Sequence, residues 1–223
     1  MSSEEFVQAL VSRLREKRPG LRAQLRLAPD PRPGTQAYPD VPSSSLPAGV
    51  LVLLYPRRSK LRVLLTRRTA DLLHHQAQIS FPGGQQEPGE DLQLTAAREA
   101  QEEVGIDPQD FRILGRLTPL FIPPSNYCIY PTLAYAYERP EFRPNEKEVA
   151  EVLEVPFEHL ADPANFKQEM WKHRGRDVCV PFFSYRGHKI WGATAMVLAE
   201  LMEIIEDLPL TGVRAKPGEG DFA

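Results

Sequence analysis

Three glutamates, Glu99, Glu102 and Glu103, stand at i, i+3 and i+4 within the run Arg98-Glu99-Ala-Gln-Glu102-Glu103-Val-Gly105-Ile106. On a helix this spacing brings all three carboxylates to one face. Like charges on adjacent turns repel, and nothing in helix propensity asks for them. A hard divalent cation such as Mg²⁺ resolves the conflict, because it takes carboxylate oxygens together with the phosphate oxygens of a substrate. The competing reading is a solvated acidic helix face, which would not also carry glycines at both ends and Arg98.

Upstream lies Gly84-Gln-Gln-Glu-Pro-Gly-Glu90. Glu90 stands at the helix entrance, where a carboxylate suits the positive end of the helix dipole. A plain helix-start acid and a supporting member of an acidic site are both open readings for it. Arg98 precedes Glu102 by four residues and can pair with it, holding its rotamer. Its guanidinium stays protonated, so it is not a general base. Gly83 and Gly84 let the backbone turn tightly, and a carbonyl there can reach a cation.

The elements that must position these groups are legible from periodicity. Ser2 to Arg18 reads as an amphipathic helix, with Phe6, Leu10, Leu14, Val7 and Val11 at helical spacing. Ser2-x-x-Glu5 has capping-box form, and Pro19-Gly20 stops the helix. Pro29 to Pro47 is Pro- and Ser-rich and reads as an irregular arm. Val50 to Leu54 is an apolar run suited to a strand buried on both faces. Leu61 to Arg67 is a second strand, with Leu61, Val63 and Leu65 on one face and Arg62, Leu64 and Thr66 on the other.

A loop follows Phe81-Pro-Gly-Gly84, then a helix from about Asp91 to Val104, buried through Ala96, Ala100 and Val104 and ended by a left-handed Gly105. Phe111–Thr118, Ile129–Tyr137 and Val152–Val155 read as strands. Thr194–Glu206 reads as a last helix with Ala195, Leu198, Leu201, Met202 and Ile205 inward. Strands mixed with a few helices predict an α/β architecture. The expected division is 1–47 (helix and arm), 48–208 (catalytic domain) and 209–223 (frayed tail).

Composition sets outer limits. At 223 residues and 42% hydrophobic content the chain can bury one domain. A net charge of −3 gives no global nucleic-acid footprint. No apolar run reaches the length of a membrane span, and the first residues lack a secretion signal. Cys128 and Cys179 form no C-x-x-C pair and read as buried, reduced thiols. The expected protein is cytoplasmic, with no nucleic-acid or membrane partner; a homodimer is left open beside a monomer. His74, His75, His159, His173 and His188 show no metal-ligand spacing.

The pattern running from Gly84 through Glu90 to Ile106 resembles the signature of the Nudix hydrolases: a glycine, five residues, a glutamate, seven residues, then Arg-Glu-aliphatic-any-Glu-Glu-any-Gly-aliphatic. Every fixed position is filled, with small Ala100 at the first aliphatic one. The resemblance implies a Nudix-like α/β/α sandwich with a mixed, curved sheet, and hydrolysis of a diphosphate bond. It assigns Mg²⁺ (or Mn²⁺) to Glu99, Glu102 and Glu103, support to Glu90, and an orienting role to Arg98. Such cations neutralise phosphate charge, polarise phosphorus and activate water. Family members place the general base differently. Here Glu146, Glu148 and Glu151 are candidates, Glu148 preferred, each also readable as a solvated loop acid.

A second string, Leu64-Leu-Thr66-Arg-Arg68 followed by Phe81-Pro-Gly-Gly84, resembles the extra signature of the coenzyme A pyrophosphatase branch. It departs in the middle at Thr69, Leu73 and Ala77. Pro124-Ser-Asn-Tyr127 and Ile190-Trp-Gly-Ala-Thr-Ala195 agree more loosely. This implies cleavage of coenzyme A or its acyl esters to 3′,5′-ADP and (acyl-)4′-phosphopantetheine, with Arg67, Arg68, Ser125 and Asn126 as substrate-binding candidates. Two alternatives stand beside it: a Nudix enzyme for ADP-ribose, a dinucleotide or a modified nucleoside triphosphate, and a non-catalytic ligand-sensing module on the same fold.

Overall fold

The structure, a computed structural model, describes residues 1–16, 18–31, 41–69, 78–173 and 175–208. Leu73, His74, His75, Ala77 and the tail 209–223 lie outside them, as does the middle of the expected arm, residues 32–40. Helix α1 (Ser3–Arg15) starts on the expected capping box: Glu5 N–H donates to Ser2 Oγ at 3.2 Å, and Ser2 N–H donates back to Glu5 Oε2 at 2.7 Å. Phe6, Val7 and Leu10 are wholly buried. Burial of each such side chain contributes roughly 1.5–3 kcal/mol, so the helix is part of the core. A short α2 (Leu21–Leu25) follows, which periodicity did not suggest because one and a half turns carry too little pattern.

Strand β1 (Leu46–Arg57) starts inside the expected arm and is longer than the Val50–Leu54 core run. Next come β2 (Lys60–Arg68), β3 (Ile79–Ser80), β4 (Gly83–Gln85), α3 (Leu92–Val104), β5 (Arg112–Arg116), β6 (Leu120–Ile122), β7 (Tyr127–Tyr135) and β8 (Val149–Pro156). These strands form one mixed sheet with the spine β3-β2-β1-β7-β5, while β4, β6 and β8 pair with β1, β7 and β2. β1 and β7 run parallel from Leu46↔Tyr127 to Leu54↔Tyr135; their neighbours run antiparallel. β4 lies in what the sequence reads as a loop, since two of its three residues are glycine.

The sheet separates two cores. Leu51, Leu53 and Leu64 face Ala96, Ala100 and Val104 of α3. Val52, Leu54, Leu61, Val63 and Leu65 face the opposite side, where Phe6 and Leu10 of α1 pack. After α4 (Phe157–Ala161) comes a second sheet absent from the sequence reading: β9 (Phe166–His173), β10 (Arg176–Tyr185) and β11 (His188–Trp191), in the order β11-β10-β9. Helix α5 (Gly192–Ile205) then lays Ala195, Leu198, Leu201 and Ile205 into the second core; Met202 is partly buried there. α3 on one face and α1 with α5 on the other make the expected α/β/α sandwich. Among the described residues no helix is long and apolar enough to cross a membrane. Cys128 is buried, Cys179 half-buried, and both are free.

One polar network crosses the second core. Glu200 on α5 is fully buried and accepts from Gln24 Nε2 at 2.8 Å, Thr118 Oγ1 at 2.7 Å and Thr118 N–H at 3.1 Å. Gln24 also donates to the Thr118 carbonyl at 2.8 Å, tying α2, α5 and the segment before β6 together. Leaving such buried donors without an acceptor costs about 1–3 kcal/mol each. Glu200→Ala is therefore expected to lower unfolding stability by about 2–3 kcal/mol, measured by denaturant titration; an unchanged midpoint would remove the network from the account.

Candidate active site

Three close approaches set the frame of the site. Gly49 on β1 lies so near α3 that an added Cβ would fall 2.5 Å from the Leu92 carbonyl and 2.9 Å from Ala96 N. At Gly83 an added Cβ would meet the Gly49 carbonyl at 2.5 Å. At Gly84 it would meet Glu99 Cδ at 2.4 Å. At Gly49 and Gly83 the nearest neighbours are backbone atoms that cannot move aside, while at Gly84 the β4 backbone lies against the Glu99 carboxylate itself. Gly105 closes α3 in the left-handed region (φ 71°), as expected, against Arg143. The loop behind it is laced to the helix end: Asn145 N–H donates to the Glu103 carbonyl at 2.8 Å and Arg143 N–H to the Val104 carbonyl at 2.8 Å.

The three motif acids differ in setting. Glu103 is buried, and Arg68 Nη1 stands 3.5 Å from its Oε1. Its Oε2 is buried with no hydrogen-bond partner among the described residues. Burial pushes its pKa up to about 7; Arg68 opposes this, while the charges of Glu99 and Glu148 add to it. Glu99 is raised as well, chiefly by burial, with Arg98 opposing and Glu102 and Glu148 contributing. Glu102 is more than half exposed.

Arg98 organises the acids as a planar fork. Its Nε donates to Glu90 Oε1 at 2.9 Å, and its Nη1 donates to Glu99 Oε1 at 2.8 Å and Glu102 Oε2 at 3.2 Å. Its Nη2 reaches the Gln85 carbonyl at 3.3 Å. The helix N-cap is Asp91, so Glu90 is more than a capping acid: Thr95 Oγ1 donates to it at 2.7 Å beside the Arg98 fork.

The Arg98 hydrogen bond, joined by that of Thr95, brings the Glu90 pKa down to about 2 against the opposing effect of burial. A lowered carboxylate pKa stabilises the fold above its unfolded value of 4.5, and the contribution is lost as pH falls toward 2. Glu90→Gln is expected to flatten that acid limb in a series of unfolding midpoints between pH 5 and 2. A limb as steep as in the parent chain would count against the pairing.

Of the base candidates, Glu148 is half-buried and close enough for its charge to act on both Glu99 and Glu103. Asn145 Nδ2 donates to its Oε1 at 3.2 Å. Glu151 is engaged elsewhere, 3.2 Å from Arg67 Nε and 3.1 Å from His188 Nε2, and Glu146 is exposed.

The substrate-binding candidates divide. Arg68 lies against Glu103 and Arg67 against Glu151. Ser125 and Asn126 occupy the turn between β6 and β7, where Ser125 Oγ bonds the Ile122 carbonyl and Asn126 Nδ2 bonds the Ser44 carbonyl at 2.9 Å. That turn reaches the acidic side through Tyr127, whose hydroxyl donates to Gln85 Oε1 at 3.1 Å. Sequence reasoning passed over Gly49, Gln85, Asn145 and Tyr127. Gly49 stood just before the Val50–Leu54 apolar run and Tyr127 ended the loosely matching Pro124–Tyr127 string, but neither position pointed to the site.

As the side chains stand, no group of three or more His, Cys, Asp or Glu among the described residues is placed to hold a metal ion. Mg²⁺ seldom uses a closed protein cage: it binds through one or two carboxylates, waters and substrate phosphates. The unpartnered Glu103 oxygen, the half-exposed Glu102 and the Gly84 backbone against Glu99 fit that open, all-oxygen mode.

The NUDIX domain profile matches residues 45–174. The chain is 33% identical over 178 residues to Nudix hydrolase 22, chloroplastic, of Arabidopsis thaliana, covering 76% of this chain and 59% of that protein. It is 35% identical over 196 residues to the uncharacterized Nudix hydrolase NudL of Pectobacterium atrosepticum, covering 84% and 93%. To the mouse peroxisomal coenzyme A diphosphatase NUDT7 it is 33% identical over 144 residues, 64% of this chain and 61% of that one. The chain thus spans about three fifths of the plant and mouse relatives and nearly all of the bacterial one. Among solved structures, RenU, a Nudix hydrolase from M. smegmatis, superposes with a TM-score of 0.50 at 21% identity, over 74% of this chain and 89% of that one, a likeness of fold. The glycine-framed acidic helix and these matches together place the chain in the Nudix hydrolase family, whose members act on pyrophosphate bonds.

Proposed function

We propose that this chain is a divalent-cation-dependent diphosphatase acting on coenzyme A or its acyl esters, releasing 3′,5′-ADP and (acyl-)4′-phosphopantetheine. The observation that carries the reaction class is the set Glu99, Glu102 and Glu103 on one stripe of α3, with one buried Glu103 oxygen left without a hydrogen-bond partner among the described residues and Glu99 set against the Gly84 backbone. Nudix hydrolases generally use divalent metal ions; in this reading Glu99, Glu102, Glu103 and the Gly84 carbonyl hold Mg²⁺, with Mn²⁺ as a substitute. When bound, the cation supplies charge neutralisation at the phosphates and lowers the pKa of water.

The chain's own residues do the rest. Arg98 and Glu90 fix the rotamers of Glu99 and Glu102. Arg68 and the burial of Glu103 hold that carboxylate in place. Glu148, oriented by Asn145, takes the proton from the attacking water.

Substrate choice rests on the Leu64–Arg68 and Phe81–Gly84 strings and on similarity to a relative named as a coenzyme A diphosphatase. In the fold these strings lie on β2 and at β4, where Phe81 is buried and Arg68 faces Glu103. We keep the cytoplasm as its compartment and a single small nucleotide-type substrate as its partner. The deciding experiment is hydrolysis of a panel with Mg²⁺ (coenzyme A, acetyl-coenzyme A, ADP-ribose, diadenosine polyphosphate and an oxidised nucleoside triphosphate), with product identification. Expected is 3′,5′-ADP from the coenzyme A members. Cleavage of ADP-ribose with coenzyme A untouched would overturn the substrate, and an inert panel would overturn the enzyme.

A further inference from the structure

Away from the acidic helix, two hairpin tips and one sheet strand bring arginines together. Arg57 and Arg58 lie at the β1–β2 tip, Arg62 on β2, and Arg186 at the β10–β11 tip. With Val152 and Glu154 of β8 they line a cavity of about 170 Å³. Arg139 approaches the same carboxylate. Four arginines thus line one cavity and a fifth pairs with its Glu154, in a chain whose net charge is −3.

That acid is already saturated. Glu154 Oε1 accepts from Arg57 at 2.6 Å and Arg139 at 2.9 Å, and its Oε2 accepts from Arg139 at 2.9 Å and the Tyr55 hydroxyl at 2.9 Å. Arg57 and Arg139 are therefore spent on it. Arg58, Arg62 and Arg186 have no carboxylate partner among the described residues. Arg62 Nη1 donates to the Glu154 carbonyl at 3.2 Å, yet its Nε is buried with no acceptor. A buried guanidinium donor without an acceptor costs free energy that a bound anion would recover. Arg58 (φ 51°) and Arg186 (φ 48°) both sit in the left-handed region at their tips, and Arg186 stacks over the Tyr185 ring at 5.3 Å.

We propose that this cavity is a second, anion-binding site for a phosphate group, held by Arg62 from the floor and by Arg58 and Arg186 from the two tips. Planar, five-donor guanidinium groups match tetrahedral phosphate oxygens, and three of them neutralise a dianion. The volume falls below the roughly 300–1,000 Å³ of sites that enclose a whole drug-sized molecule. The cavity thus takes a phosphate and leaves any attached nucleoside outside. Arg62 precedes Arg68, the partner of Glu103, by six positions on β2, about 20 Å at the rise of a strand. The site is separate from the acidic helix and does not depend on the reaction assigned there.

The test is titration calorimetry without divalent cation at constant ionic strength, using inorganic phosphate in one arm and 3′,5′-ADP in the other. The parent chain is compared with Arg58→Asn/Arg186→Asn, asparagine tolerating φ > 0, and with Glu103→Gln. Saturable phosphate binding by the parent and by Glu103→Gln, weakened at least tenfold in the double variant, is the expected result. Parallel weakening in the 3′,5′-ADP arm assigns the same pocket to an esterified phosphate. A double variant that circular dichroism shows folded but that binds phosphate like the parent overturns the site. So does a parent with no saturable binding.

Discussion

Glu103→Gln and Glu102→Gln should each lower kcat/KM by about 10²–10⁴-fold, the several kcal/mol that a correctly held cation contributes to a charged transition state. Their stabilities should part ways. Glu102 is more than half exposed, so its amide variant should unfold where the parent does. Glu103 is buried with one oxygen unpartnered and is crowded by Glu99 and Glu148. An amide removes that buried charge, so the metal-free Glu103→Gln protein should unfold at the same temperature or a higher one. The two measurements are steady-state kinetics against Mg²⁺ concentration and a thermal melt in chelator. Full activity in both variants would refute the assignment of the acids. A large drop in the Glu103→Gln melting temperature would mean that Arg68 compensates the charge better than the geometry indicates.

Gly49→Ala carries the largest effect expected away from the acids. The new methyl would meet the Leu92 carbonyl at 2.5 Å, Ala96 N at 2.9 Å and Thr95 Cβ at 2.9 Å. Two of these are helix backbone atoms and cannot rotate aside. Helix α3 must then lift from β1, opening the interface of Ala96 and Ala100 with Leu51 and Leu53. Overpacking of this kind costs about 3 kcal/mol or somewhat more, roughly 6–12 °C in melting temperature for a chain of this size. Because α3 carries Glu99, Glu102 and Glu103, kcat should fall as well, while a surface glycine such as Gly89, with open space around it, should tolerate alanine far better despite its φ of 80°. A Gly49→Ala melt within about 2 °C of the parent would show that the helix–strand approach is looser than described.

The acidic stripe was legible because helix geometry turns i, i+3, i+4 spacing into a shared face without reference to the rest of the chain. The capping box at Ser2 and the left-handed Gly105 were legible for the same reason, each being a local backbone demand. The alternation in Leu61–Thr66 correctly separated the two cores. What escaped depended on partners distant in sequence. Lys167-Gln-Glu-Met-Trp-Lys172 has no clean period of two, so β9 emerges only through its pairing with β10. The Tyr185-Arg-Gly-His188 tip did hold a hairpin signal between apolar runs, and it went unread. Arg68 looked like a strand-end charge available to substrate, and only the three-dimensional arrangement sets it beside Glu103. Glu200 drew no reading on its apolar helix, because Gln24 and Thr118 lie far away in the chain.

The parallel pairing of β1 with β7 has a consequence for how the protein is made. Leu46 must wait for Tyr127, roughly 80 residues later, before its outer edge finds hydrogen-bond partners. At about 5–20 residues per second, several seconds of translation separate the two strands. Meanwhile β1 can pair only along its other edge, with β2 and then β4, leaving an oily ribbon with one bare edge at the ribosome exit. Nascent-chain capture by a holdase should therefore peak for stalled lengths between the emergence of β2 and that of β7.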